Sequence, residues 1–233
     1  MKLIGFLTID GYCKGLMILI AIVALVVSLK LYYRHRSLRF FSYYIGLSLI
    51  QSGADFYRHL APKHDPFAYE LIVIADIVFI VFEFSLCTFF ILRYITGKAR
   101  RWAVKLNATT FFIFLVLFLV HKLPIIVFSK LWLVESVALV PPCLIYFYEL
   151  FLTVNSRSLK EQPSFWIVTG VLFLNSCSIP LLVSLEYLGS LEGTLFGLND
   201  ILYSILFVLI IRAFRCRPEE AAPVFPLKTK ANL

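Results

Sequence analysis

No segment of this chain is both long enough and polar enough to make a soluble domain. The connections between its apolar runs are short, and no low-complexity tract separates them. Charged side chains are 15% of its 233 residues, where a soluble domain carries about 25%. The short signatures of catalysis are missing as well. There is no CxxC, no HxxxH or HExxH, no nucleophile elbow and no phosphate loop. His35, His59, His64 and His121 have no metal-ligand spacing. No catalytic residue, metal or cofactor is therefore assigned, and the chain is read as non-enzymatic. The five cysteines offer no disulfide framework. Cys87, Cys143 and Cys177 lie inside apolar runs, where cysteine packs as a small hydrophobe. Cys216 follows the last run and reads as an ordinary free thiol.

What is present is apolar. Hydrophobic residues make up 61% of the chain and the mean hydropathy is +0.88. A core of this length cannot hide that much apolar surface from water, so the solvent must be lipid. The net charge of +8 suggests nucleic acid at first. The basic residues instead sit in short clusters between apolar runs, the pattern that orients membrane proteins, so no nucleic-acid partner is expected.

A helix needs about 20 residues to cross a bilayer. Seven runs qualify: 15–33, 40–59, 68–95, 106–120, 131–153, 165–188 and 195–214. Ser42, Ser48, Gln51, Ser52 and Asp55 dilute the second, which predicts a helix shielded by its neighbours. The first run ends in Tyr-Tyr-Arg-His-Arg, not in a small-residue cleavage site, and reads as a retained span. Alternate connections carry 16 lysines and arginines on one side and six on the other. The richer side belongs in the cytoplasm. The predicted fold is all-α, a seven-helix transmembrane bundle over 1–217 with its N-terminus outside and its C-terminus cytoplasmic. A disordered tail, 218–233, is expected to follow, with three prolines and mixed charge. Tyr32, Tyr33, Tyr94, Trp102, Trp132 and Trp166 fall near run ends, where interfacial aromatics belong.

Carboxylates inside these runs are the strongest functional signal. An acid at bilayer depth costs about 2.5 kcal/mol or more, so its presence points to function. Threading puts Glu83 near the bilayer centre, Glu149 in the inner half, and Asp55, Asp76, Glu135, Glu186 and Asp200 in the outer half. Asp76 and Glu83 are seven residues apart and share a helix face, as do Glu135 and Glu149 at fourteen. Arg58 is placed to pair with Asp55 along its helix, and Arg93 lies at a depth where Glu149 can meet it. Asp76, Glu83, Glu135 and Asp200 have no evident cation.

Two readings follow. The acids, with Asn175, Ser176, Ser178, Asn199 and Tyr203, either hold helices together or form an outward-facing pocket for a small cationic or protonatable ligand. The ligand-binding candidates are Asp76, Glu83, Glu135, Asp200, Asn175 and Asn199. Pro141-Pro142 is expected to break the fifth run at mid-depth and Pro180 to interrupt the sixth. Each removes an amide donor and frees a carbonyl, which makes them candidate hinges.

Other seven-span proteins fit less well. Retinal proteins need a lysine in the last run, and 195–214 has none. Arg93-Tyr94 has Leu92 where a G-protein-coupled receptor has an acid, and the last run lacks Asn-Pro-x-x-Tyr. Seven-span sugar carriers carry Pro-Gln, while Gln162-Pro163 is the reverse and lies in a loop.

Three segments resemble an uncharacterised family of small multi-span bacterial inner-membrane proteins with no assigned activity. They are Phe82-Glu83-Phe84-Ser85 with Phe89-Phe90, the stretch from Pro163 to Gly170 continuing to Pro180, and the stretch from Leu198 to Phe207 ending at Cys216. Asn175 and Ser176 depart from the more aromatic and glycine-rich pattern expected there. The resemblance implies a multi-pass protein of the bacterial cytoplasmic membrane. The layout suggests a sensor or accessory subunit whose basic loops meet a signalling partner or anionic lipid. A proton- or cation-coupled carrier, or a purely structural subunit, is the alternative.

Overall fold

The computed structural model describes residues 9–60, 66–120, 125–153, 159–187 and 192–216. Among them every regular element is helical. The helices are α1 (Ile9–Lys30), α2 (Arg39–Leu60), α3 (Pro66–Leu92), α4 (Gly97–Val120), α5 (Ile125–Thr153), α6 (Pro163–Tyr187) and α7 (Glu192–Arg215). Single 3₁₀ turns, Arg36–Leu38 and Leu159–Glu161, lie in two of the connections. Each helix overlaps one of the runs read from sequence, though α1 and α3 end three residues short of theirs and α4 begins nine residues before its run. Five of them (α1, α3, α5, α6 and α7) are long and apolar enough to span a membrane.

The helices close into a ring. α1 packs on α2, α2 on α3, α3 on α5, α5 on α6, α6 on α7, and α7 returns to α1. α4 stands outside the ring, against α5 and α3.

Contacts at the ends fix the alternation. Phe41 at the start of α2 meets Phe90 near the end of α3. Thr96, before α4, meets Glu149 near the end of α5. His35 before α2 meets Phe214 at the end of α7, with ring centroids 5.9 Å apart. Arg212 at the end of α7 lies over Trp166 at the start of α6, 5.6 Å from the ring centroid. The basic clusters therefore gather at one end of the bundle. There Arg39 also covers the rings of Tyr32 and Tyr33. An arginine on an aromatic face at a span end keeps its charge toward water while its stem covers apolar surface.

Packing follows the logic of lipid. α1 turns small residues inward: Ala21, Ala24 and Ser28 are buried with Met17, while Leu16, Leu19, Val23 and Val26 are exposed. Lipid solvates large aliphatic side chains as well as a core does, so small residues go where helix backbones must approach. Gly170 does the same between α6 and α7. A Cβ there would lie 2.7 Å from Leu206 Cδ1. Gly97 has a different role: its φ of +60° turns the chain into α4, and nothing crowds it.

Two expectations change in detail. α2 is not shielded all round, since Phe40, Tyr43 and Ile50 are exposed. Its diluting serines, Ser42, Ser48 and Ser52, are buried instead, Ser52 bonding the Ser48 carbonyl of its own helix. The prolines also leave their helices unbroken: α5 contains Pro141 and Pro142, and α6 contains Pro180. They take away the usual amide partners of the Val137, Ala138 and Ser176 carbonyls without ending either helix.

Candidate acid centre

Most polar side chains in the helices satisfy themselves. Ser52, Thr110, Thr169, Ser184 and Ser204 each donate a hydroxyl to the carbonyl four residues back in their own helix. The Asn107 and Asn175 amides do the same. Such bonds satisfy a polar group within its own helix, at a small cost to the helix backbone. A side chain that instead reaches another helix, or finds no partner, stands out from this background.

Glu83 stands out most clearly. It is 3% exposed and lies about 14 Å along the axis from the basic end of α3, at 1.5 Å per residue. Tyr44 of α2 donates its hydroxyl to Oε1 at 2.9 Å, and Tyr203 of α7 donates to Oε2 at 3.0 Å. Three helices thus meet on one carboxyl group, with a separate phenol on each oxygen. Around it the rings close a cycle. Tyr44 stacks on Phe79 at 5.8 Å, Phe79 meets Tyr203, Tyr203 meets Phe207, and Phe207 returns to Tyr44. The cycle fixes both phenols and walls the carboxyl off with apolar faces.

Glu135 on α5 is the second acid of the centre. It is 1% exposed, and neither oxygen has a hydrogen-bond partner among the described residues. The neighbouring Ser136 hydroxyl is also buried without a partner. Trp132, one turn before Glu135 on α5, packs on Tyr203 with ring centroids 6.1 Å apart, so Glu135 is carried into the same buried region as Glu83. Cys87, one turn beyond Glu83, and Cys143 lie in the same buried region. No described lysine, arginine or histidine pairs with either acid. An isolated pair of carboxyls in a dry interior is costly, and native proteins retain such groups where they act.

The other acids are placed apart. Asp76, two turns before Glu83 on α3, accepts from Gln51 Nε2 of α2 at 3.0 Å. Asp200 is half-buried, and its backbone carbonyl accepts from Ser204. Asn175 bonds its own helix, and Asn199 accepts from the Ser178 hydroxyl at 3.4 Å, which joins α6 to α7. Glu149 accepts from the backbone amide and the hydroxyl of Thr96, at 3.0 and 3.3 Å, and so caps the start of α4. The side chains of Asp55, Arg58 and Glu186 lie outside the described residues. Cys216 is buried, and its thiol donates to the carbonyls of Arg212 and Lys160.

Of the six ligand candidates, the structure brings Glu83 and Glu135 to one place and distributes the rest along helix contacts. Tyr44 escaped the sequence reading. Its signal was the helix it sits on: a weak span whose polar residues needed partners inside the bundle. No group of three or more histidine, cysteine, aspartate or glutamate side chains suited to a metal occurs among the described residues.

This is the architecture of a helical membrane protein with a buried acid pair at its centre. No protein-family model, curated protein or solved structure matches the chain.

Proposed function

We propose that the protein crosses a bacterial cytoplasmic membrane seven times, N-terminus outside and C-terminus inside, and works as a sensor or accessory subunit. The acid centre holds a small cationic or protonatable ligand. The observation that carries this reading is Glu135: a buried carboxyl with no hydrogen-bond partner among the described residues, beside the clamped carboxyl of Glu83. Helix glue does not account for it, because glue requires a bond, and the bonded acids Asp76 and Glu149 show what such a bond looks like.

In this reading α2, α3 and α7 feel the occupancy of the centre through Tyr44, Glu83 and Tyr203. α5 carries Glu135 on one side of Pro141-Pro142 and the Glu149 contact to α4 on the other. A change at the acids therefore has a route, with Pro141, Pro142 and Pro180 as hinges, to the basic end. A signalling partner or anionic lipid meets the exposed Arg93, Lys98, Arg100 and Arg101 there. A proton- or cation-coupled carrier would use the same acids.

The test is thermal melting of the protein in lipid nanodiscs across pH and with added methylammonium chloride, paired with flux in proteoliposomes. A sensor shows stabilisation that Glu83→Gln/Glu135→Gln removes, and no flux. Flux that Glu83→Gln abolishes makes the protein a carrier. Melting unaffected by pH, by methylammonium or by the double substitution leaves a structural subunit.

A further inference from the structure

We infer that Glu83 and Glu135 form a one-proton acid pair, with Glu83 the ionised member and Glu135 the member that carries the proton. The inference rests on the acid-centre reading above and names its ligand: a proton.

The hydrogen-bond pattern distinguishes the two groups. A carboxylate is acceptor-only, and Glu83 receives one phenolic O–H on each oxygen. Both phenols donate inward, which is the arrangement that stabilises negative charge. Glu135 receives no donor on either oxygen among the described residues. An anion in that position would be buried with no donor and no counter-charge among the described residues. Two buried carboxyls in one region with no counter-charge do not both ionise, and the proton goes to the one without donors.

Few other titratable groups among the described residues face the pair. From α2 and α7 come the phenols of Tyr44 and Tyr203, and from α3 and α5 the thiols of Cys87 and Cys143. The described charges of α4, at Lys98, Arg100, Arg101 and Lys105, are exposed in its first turns. α6 offers Cys177 as its described titratable side chain, half-buried. Asp76 sits two turns up α3 with Gln51. Acidification then adds one proton to Glu83. Its phenols lose an ionic acceptor, and the contacts of α2 and α7 with α3 weaken together.

Infrared spectroscopy with ¹³C-labelled glutamate, on the full chain in nanodiscs, reads the proton's location. The expected result is one buried protonated-carboxyl band at neutral pH. Glu135→Gln abolishes it, while Glu83→Gln retains it at a shifted frequency. Tyr203→Phe, which keeps the ring, should move part of the proton onto Glu83 and split the band. A band lost in Glu83→Gln but kept in Glu135→Gln puts the proton on the wrong residue and overturns the inference. So does wild-type protein with no such band. Either failure leaves the ligand reading standing if methylammonium still stabilises the protein. Loss of that stabilisation, with the band as expected, removes the function and keeps the acid pair.

Discussion

Removing one phenol from Glu83 is the sharpest perturbation of the centre. Tyr203→Phe deletes the hydroxyl at 3.0 Å from Oε2 and keeps the ring that packs on Phe79, Phe207 and Trp132. The loss is therefore electrostatic and not a cavity. A hydrogen bond to a charged group contributes about 1.5–3 kcal/mol in soluble proteins. Polar contacts between membrane helices average about 0.6 kcal/mol and reach about 1.7. Full burial and a clamp on both oxygens put this bond at the upper end of the membrane range, at about 1.5 kcal/mol. A double-mutant cycle isolates it. Wild type, Tyr203→Phe, Glu83→Met and the double variant are unfolded reversibly by steric trapping in bicelles. Methionine removes both acceptor oxygens at similar volume. The expected coupling is about 1–1.7 kcal/mol. A coupling below about 0.3 kcal/mol, the error of additivity, would mean that the phenol does not hold the acid, and the clamp would be refuted.

Other consequences are as direct. Gly170→Leu should lower stability by about 1–3 kcal/mol through overpacking against Leu206 and Leu209. Adding Leu206→Ala should recover part of that loss in the melting temperature, as only a steric cause allows. Glu149→Ala leaves the amide at the start of α4 without its acceptor. It should cost about 1 kcal/mol and speed proteolysis in the link between α3 and α4. In a cysteine-free background, single cysteines at Lys63 and Lys160 should label from opposite sides of the membrane, Lys63 from outside. Labelling of both from one side would break the seven-span threading.

The helices were legible because an apolar run of membrane length between basic clusters has few other ways to fold. Three runs were faint: the second, diluted by serines, Gln51 and Asp55, the seventh, with its polar start, and the fourth, short because the first turns of α4 carry Lys98, Arg100, Arg101 and Lys105. In the structure α4 stands outside the ring. The order of helices around the ring was not legible. It depends on details such as Gly170 admitting Leu206, which no periodicity shows. Within the site, the acids announced themselves by cost alone, and Glu83 and Glu135 do meet. Asp76 looked equivalent to Glu83 on the same face, yet it meets Gln51 two turns away. Tyr44 gave no signal of its own, because a tyrosine among apolar residues near a span end reads as an interfacial anchor. Its role comes from the 39 residues of chain that separate it from Glu83 and the helix pairing that closes them.

If the acid centre is a place where a proton binds, proton uptake by the folded protein measures it most directly. The protein in nanodiscs is taken from neutral to mildly acidic pH in weak buffer, and a pH dye counts the protons bound. Wild type should take up about one proton per chain more than Glu83→Gln, reversibly and with the fold intact. Equal uptake by the two proteins would contradict the account and leave the acids as buried structure.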